Sequence, residues 1–150
     1  MKLRILIVDD EAWQMRSLMA CLRDADVDVD EAHDMRSGCR KVKHMKYDAL
    51  VIDCLMPSMD KEIPSSFAGG ELVRRIRNGH KTVGELNKGT IVIALTGVAT
   101  KDVLADLEEA GVHSILRKPI TLEDLLQVLR GALDERSARD SQPSSNKGGT

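Results

Sequence analysis

Aromatic side chains are scarce in this chain: Trp13, Tyr47 and Phe67 are the only three among 150 residues. The hydrophobic core must therefore be built from aliphatic side chains, with methionine filling the irregular gaps. Proteins that bind single-stranded nucleic acid without sequence preference stack the bases on several aromatic rings. So small a number of rings argues against that class of protein.

Cysteine, excess charge and long apolar runs are scarce as well. The three cysteines (Cys21, Cys39 and Cys54) form no Cys-x-x-Cys pair and cannot all be bridged, which indicates a reducing cytoplasm. A net charge of −2 gives no general attraction to nucleic acid or to an anionic membrane. The first apolar segment ends at the acidic residues 9–11, too early for a secretion signal, and no apolar run reaches the length of a transmembrane helix. We therefore expect a cytoplasmic protein that binds neither nucleic acid nor membrane directly.

Five short apolar segments alternate with segments of helical periodicity. The predicted strands are 3–8, 27–32, 49–52, 90–95 and 114–117. The predicted helices are 11–24, 35–45, 71–77, one between Thr100 and Gly111, and one that begins at Thr121. Such alternation is typical of an α/β fold, in which helices cover both faces of a parallel sheet.

Composition divides the chain into one domain and a tail. Residues 1–136 are predicted to form the domain, a length that suits one hydrophobic core. Residues 137–150 are rich in Ser, Gly, Asn, Lys and Pro, and we interpret them as a disordered tail or linker. The connection 78–89 is ambiguous, and an extra helical turn is one interpretation of it.

Polar side chains follow four of the predicted strands. They are Asp9 and Asp10, Asp53, Thr96 and Lys118, in chain order. Because the carboxyl ends of parallel strands share one edge of the sheet, we expect these side chains to converge. Three carboxylates held together repel one another and raise each other's pKa. A hard divalent cation relieves that repulsion, so the pattern predicts a Mg²⁺ site.

The same arrangement suits phosphoryl transfer. A metal ion on the carboxylates leaves one oxygen of Asp53 free to attack a phosphoryl group, whose charge Mg²⁺, Lys118 and Thr96 would neutralise. An Asp-nucleophile phosphatase of the haloacid dehalogenase type is an alternative, but it needs a second aspartate where Leu55 stands. A dinucleotide-binding domain needs a glycine-rich turn after the first strand, where this chain has the acidic residues 9–11.

These residues resemble the response-regulator receiver domain of two-component signal transduction over residues 2–135. The matching segments are Ile7 to Glu11, Val51 to Asp53 with Met56-Pro57, Ala94 to Gly97, and Lys118-Pro119. The resemblance implies a flavodoxin-like, doubly wound α/β fold, with a five-stranded parallel sheet in the order 2-1-3-4-5 and helices on both faces.

The resemblance also implies a role for each site residue. Asp53 is expected to be the phosphoacceptor. Mg²⁺ is expected to be bound directly by Asp10 and Asp53, by Asp9 largely through water, and by the backbone carbonyl of Leu55. Thr96 and Lys118 would hold the phosphoryl oxygens, and the Lys118–Pro119 peptide bond is expected to be cis.

The partners implied are a sensor histidine kinase or a phosphotransfer protein, and an unidentified output partner at the face formed by the fourth helix, fifth strand and fifth helix. The resemblance also allows a homodimer. A receiver-like scaffold that is never phosphorylated is the alternative, although the complete set of acidic residues with Thr96 and Lys118 argues against it. The sequence is consistent with a stand-alone receiver or with the front piece of a longer protein.

Two departures from the family pattern, and two apolar side chains beside the expected site, concern the switch and its lifetime. Ile115 stands where the family usually has an aromatic ring. An insertion, residues 61–68, delays the glycine that is expected soon after Met56-Pro57. The resemblance implies that Leu55 and Val98 flank the approach of a hydrolytic water; both are apolar, so we expect a long-lived phosphorylated state.

Overall fold

The computed structural model describes residues 2–97 and 99–141 of the chain. Its strands are β1 (Leu3–Val8), β2 (Val27–Ala32), β3 (Ala49–Asp53), β4 (Ile91–Thr96) and β5 (Ser114–Arg117). Its helices are α1 (Arg16–Asp24), α2 (Met35–His44), α3 (Ala68–Asn78), α4 (Lys101–Ala110) and α5 (Leu122–Ser141). Short 3-10 turns precede α1 at Ala12–Met15 and α3 at Ser65–Phe67.

The five strands form one sheet in the order β2-β1-β3-β4-β5, and every pair of neighbours is parallel. This is the predicted doubly wound α/β fold. The sheet order is confirmed with it. The central strands β3 and β4 are buried along their whole length, which explains why both read as continuous apolar runs.

The core has two halves because successive side chains of a strand point to opposite faces of the sheet. Leu50 and Ile52 pack on the side of α2 and α3, whereas Val51 packs on the side of α1 and α5. The interior is mainly aliphatic with methionine filler, as predicted, and it also contains the buried ring of Tyr47. The buried methionines are Met15, Met19, Met35 and Met56. No helix within the described ranges has the length and apolar character needed to cross a membrane.

Two helix boundaries differ from the prediction. Helix α3 begins at Ala68 rather than at residue 71. The prediction started it too late because Gly69 and Gly70, which are poor helix formers, lie in its buried first turn. Helix α5 continues to Ser141, five residues beyond the predicted domain boundary at 136. The segment between Gly131 and Ser141 contains no glycine or proline, the residues that most strongly disfavour a helix. A polar composition without such residues does not end the helix. Residues 142–150 of the predicted tail lie outside the described residues.

The connection 78–89 forms turns rather than the extra helical turn that its sequence allowed. It is fixed by the fully buried Asn87, whose amide donates to the backbone carbonyls of Val42 (2.7 Å) and Met45 (2.6 Å). The Asn87 side-chain oxygen accepts from the backbone N–H of Tyr47 (2.9 Å) and from the Thr90 hydroxyl (3.0 Å). One side chain therefore joins α2, the start of β3 and the start of β4.

Two further hydrogen bonds extend this arrangement. The Tyr47 hydroxyl donates to Asp30 of β2 (2.8 Å), and the Lys46 ammonium donates to the Thr90 hydroxyl (2.9 Å). We call the set Asp30, Lys46, Tyr47, Asn87 and Thr90 the amino-edge network, because most of its members lie where strands β3 and β4 begin.

Candidate functional site

The opposite edge of the sheet, where the strands end, carries the predicted site residues. Asp9 follows β1, Asp53 ends β3, Thr96 ends β4 and Lys118 follows β5. Asp9, Asp53 and Thr96 are only 0%, 4% and 2% exposed, whereas Asp10 is exposed. The convergence that the strand pattern predicted is therefore present, and it places two acids in the protein interior.

Asp9, Asp10 and Asp53 form a carboxylate cluster. One carboxylate oxygen from each lies within 4.8 Å of the others. Because these are hard oxygen donors and one of the acids faces solvent, the cluster fits a divalent cation such as Mg²⁺ that retains several waters. The expected contribution of the Leu55 carbonyl stays a prediction.

Lys118 pairs with both buried acids. Its ammonium nitrogen lies 3.1 Å from Asp9 Oδ2 and 3.2 Å from Asp53 Oδ2. The other oxygens accept backbone hydrogen bonds, Asp9 Oδ1 from the Glu11 N–H (2.8 Å) and Asp53 Oδ1 from the Leu55 N–H (3.2 Å). The Lys118–Pro119 peptide bond is cis, as the resemblance implied.

The electrostatics of the site remain unfavourable despite these contacts. Burial, and next the repulsion by Asp9, raise the pKa of Asp53 to about 6, although Lys118 and the Leu55 N–H act in the opposite direction. Burial by itself would lower the pKa of Lys118, but Asp53 and Asp9 together raise it. One ammonium group therefore does not compensate the cluster, which retains an excess of negative charge for a cation to neutralise.

A cavity of about 380 Å³ opens over Asp53. Its lining residues are Asp10, Glu11, Asp53, Leu55, Met56, Pro57, Ser65, Gly97 and Lys118. Sequence reasoning did not single out Ser65, which lies in the inserted loop, and treated Glu11 only as part of an acidic run. Leu55 stands exposed at the cavity, whereas Val98 lies outside the described residues, and their role on the path of a hydrolytic water stays a prediction.

Ile115, which stands where the family usually has an aromatic ring, belongs to a small apolar cluster. Ile115 of β5 packs with Cys54, Val103 and Leu107, and Phe67 of the inserted loop packs against the same cluster. Burial, and next the charge of Asp53, raise the pKa of the Cys54 thiol to about 12. Cys54 is therefore a protonated packing residue, and an aromatic ring does reach this region, although from a different element.

The model of the response regulator receiver domain family matches residues 5–130. The chain therefore belongs to the response-regulator receiver family, the signalling domains of two-component systems. Response regulator ArlR of Staphylococcus aureus is 29% identical over 137 residues, which are 91% of this chain and 55% of ArlR. The chain spans about half the length of the curated relatives it matches.

Solved structures support the same family. A CheY-like receiver domain protein from Methanospirillum hungatei is 25% identical with a TM-score of 0.78, over 93% of this chain and 99% of that one. The receiver domain of a sensor histidine kinase from Pseudomonas aeruginosa is 26% identical with a TM-score of 0.71, over 87% of this chain and 97% of that one. That second structure has a magnesium ion coordinated in its active-site cleft.

Proposed function

We propose that Asp53 accepts a phosphoryl group from a sensor histidine kinase or a phosphotransfer protein, with Mg²⁺ bound beside it, and that the domain then changes conformation. The main support is that the carboxylate cluster converges within 4.8 Å while Lys118 lies 3.1 Å from Asp9 and 3.2 Å from Asp53. The chain is thus a phosphoacceptor signalling domain rather than an enzyme that turns over a separate substrate.

Asp53 is the nucleophile of this reaction. One of its oxygens bonds to phosphorus while the bond between phosphorus and the donor's leaving group breaks, which leaves an acyl phosphate on Asp53. A pKa of about 6 still leaves the Asp53 carboxylate mainly ionised at neutral pH, so the attack needs no separate general base.

The remaining residues stabilise the charge of the transferred group. Mg²⁺, when bound by the carboxylate cluster and the Leu55 carbonyl, supplies positive charge to the phosphoryl oxygens. Lys118, which already pairs with Asp53, would bind one of these oxygens through its ammonium group. Thr96, at the end of the neighbouring strand, would bind another through its hydroxyl.

We expect an output partner outside the described residues, whether a separate protein or a further domain, to respond to the switch. We assign its docking to the face formed by α4, β5 and α5, because α4 follows the cavity residue Gly97 closely and its Val103 and Leu107 pack in the Cys54 cluster beside Asp53. Such a protein acts in the cytoplasm, where histidine kinases present their phosphoryl donors. Dimerisation of the chain, and the slow hydrolysis expected from Leu55 and Val98, stay predictions.

Intact-mass spectrometry tests the phosphoacceptor. With acetyl phosphate and Mg²⁺, the wild type should gain the mass of one phosphoryl group, and chelation of Mg²⁺ should abolish the gain. Asp53→Asn should gain nothing, because the amide is not a nucleophile. The matched control Asp102→Asn, which changes an exposed acid in the first turn of α4, should be labelled like the wild type. Equal labelling of Asp53→Asn and wild type would contradict the proposal, and no labelling of any variant would favour the scaffold interpretation.

A further inference from the structure

The inserted loop, residues 61–68, is fixed to the body of the domain at its carboxyl end. The Phe67 side chain packs against the cluster that contains Cys54, Val103 and Leu107. Two residues later the Gly69 N–H donates to the carbonyl of Cys54 (3.3 Å). A Cβ at Gly69 would lie 2.7 Å from the Cys54 Cα, closer than a real Cβ approaches, so only glycine allows this approach. The end of the loop is thereby held next to the residue that follows Asp53.

The segment that leads into the loop is fixed as well. The Ser58 hydroxyl donates to Glu71 (2.5 Å), a buried residue of α3 that also pairs with Arg75 (2.9 Å). The Ser58 hydroxyl accepts from the Asp60 N–H (3.0 Å), and the Asp60 carboxylate accepts from the Glu62 N–H (2.9 Å). A series of hydrogen bonds therefore runs from α3 to the start of the loop: the first joins two side chains, and the next two join a backbone N–H to a side chain.

Ser65 lies between these two anchored ends. It opens the 3-10 turn Ser65–Phe67, which the Phe67 N–H closes by donating to the Pro64 carbonyl (2.9 Å). Ser65 lines the cavity over Asp53, whereas its neighbour Ser66 is not among the lining residues. The other described lining residues are acidic or apolar, apart from Gly97 and the cation Lys118, so Ser65 is the neutral hydroxyl of this part of the cavity wall.

We propose that Ser65 binds the phosphoryl group on Asp53, by donating its hydroxyl hydrogen to a phosphoryl oxygen. This inference rests on the proposed function, since it concerns the same cavity. The acidic and apolar neighbours of Ser65 cannot donate a side-chain hydrogen bond to an anion when the acids are ionised. Ser65 thus adds to the donors Lys118 and Thr96 a third donor, which the insertion brings to the mouth of the cavity.

The effect of the Ser65 hydroxyl should be moderate. A hydrogen bond to an anion is stronger than one between neutral groups, but Ser65 is exposed and water competes for the same oxygen. We therefore expect the affinity for a phosphoryl mimic to fall about fivefold when the hydroxyl is removed.

Fluorine NMR with beryllofluoride and Mg²⁺ tests this directly, because beryllofluoride on an aspartate carboxylate mimics a phosphoryl group without chemical turnover. Ser65→Ala should bind beryllofluoride about fivefold more weakly and should shift one bound fluorine resonance. Ser65→Thr, which keeps the hydroxyl, and Ser66→Ala, the neighbouring control, should both resemble the wild type. The affinity for Mg²⁺ alone should be the same in all four proteins, which reports that the carboxylate cluster is intact.

The outcomes separate the two proposals. If all four proteins bind beryllofluoride equally and with the same fluorine spectrum, the role of Ser65 is overturned while the proposed function stands. An equal loss in Ser65→Ala and Ser66→Ala would also overturn it, because the loss would then follow from the shape of the loop. If the wild type binds Mg²⁺ but no beryllofluoride, the proposed function fails and the role of Ser65 fails with it.

Discussion

At the amino edge of the sheet, the side-chain oxygen and nitrogen of Asn87 both have partners inside the protein, and Thr90 and Tyr47 complete the network. At the carboxyl edge, three carboxylates converge within 4.8 Å, and the Lys118 ammonium group pairs with two of them, Asp9 and Asp53. The amino edge stabilises the fold. The carboxyl edge retains repulsion between its carboxylates, which a bound cation would relieve. The comparison shows that stability and function are separated at opposite ends of the same strands.

The largest effect should come from breaking the amino edge. Asn87→Ala leaves the carbonyls of Val42 and Met45 and the N–H of Tyr47 without their partner in a buried place. The free energy of unfolding should fall by about 3 kcal/mol, since each buried unpaired group costs about 1–3 kcal/mol. Urea denaturation measures this change. The control Asn78→Ala, at an exposed position, should stay within about 0.5 kcal/mol of the wild type. Similar losses in the two variants would contradict the importance of the network.

The carboxyl edge should respond in the opposite direction. Without Mg²⁺, Asp53→Asn should raise the free energy of unfolding at neutral pH, because it removes a buried charge that Asp9 repels. The shift in the pKa of Asp53 from 3.8 to about 6 corresponds to roughly 3 kcal/mol. The attraction of Lys118 is already included in that shift, but burial of the asparagine amide also costs free energy, so we expect a net gain of about 1–2 kcal/mol.

The pH dependence of that gain has a definite sign. The native state binds the Asp53 proton more tightly than the unfolded state does, so this group reduces wild-type stability as the pH rises from about 4 to about 6. The advantage of Asp53→Asn should therefore be absent below about pH 4 and complete above about pH 6. Denaturation of both proteins across this range checks it. An advantage that is greatest at low pH would show that the repulsion does not act in the native protein.

The convergence of Asp9, Asp10, Asp53 and Lys118 was predictable from sequence because strand ends are local features. The apolar run before Asp53 and the one before Thr96 each end in a polar residue, and parallel strands bring such ends together. The carboxylate cluster follows from this convergence, and Mg²⁺ binding there stays a prediction.

Ser65 and Asn87 were not predictable in the same way. The path of the loop over the cavity is set by the contacts of Phe67 and Gly69 with the Cys54 cluster, which is distant in sequence, and not by the serine itself. Asn87 looks like an ordinary turn residue, and only the approach of α2 and β3 gives its amide four partners. The first turn of α3 was missed because two glycines lower helix propensity while tertiary packing favours them.

The smallest effect should come from the outer bond of the amino-edge network. Tyr47→Phe keeps the buried ring and removes only the hydroxyl that donates to Asp30. We expect the free energy of unfolding to fall by about 1 kcal/mol. Thermal or urea denaturation measures this, and titration with Mg²⁺ should give the same affinity as the wild type. A change in Mg²⁺ affinity would mean that the two edges are coupled rather than separate.

The central claim is that the carboxylate cluster retains repulsion that Mg²⁺ relieves. It is tested most directly by the free energy of unfolding with and without Mg²⁺, in the wild type and in Asp10→Asn, whose replaced acid is exposed and outside the core. At Mg²⁺ concentrations about a hundredfold above its dissociation constant, the wild type should gain about 2.7 kcal/mol. Asp10→Asn should gain far less at the same concentration. Equal gains in the two proteins, or no gain in the wild type, would contradict the claim.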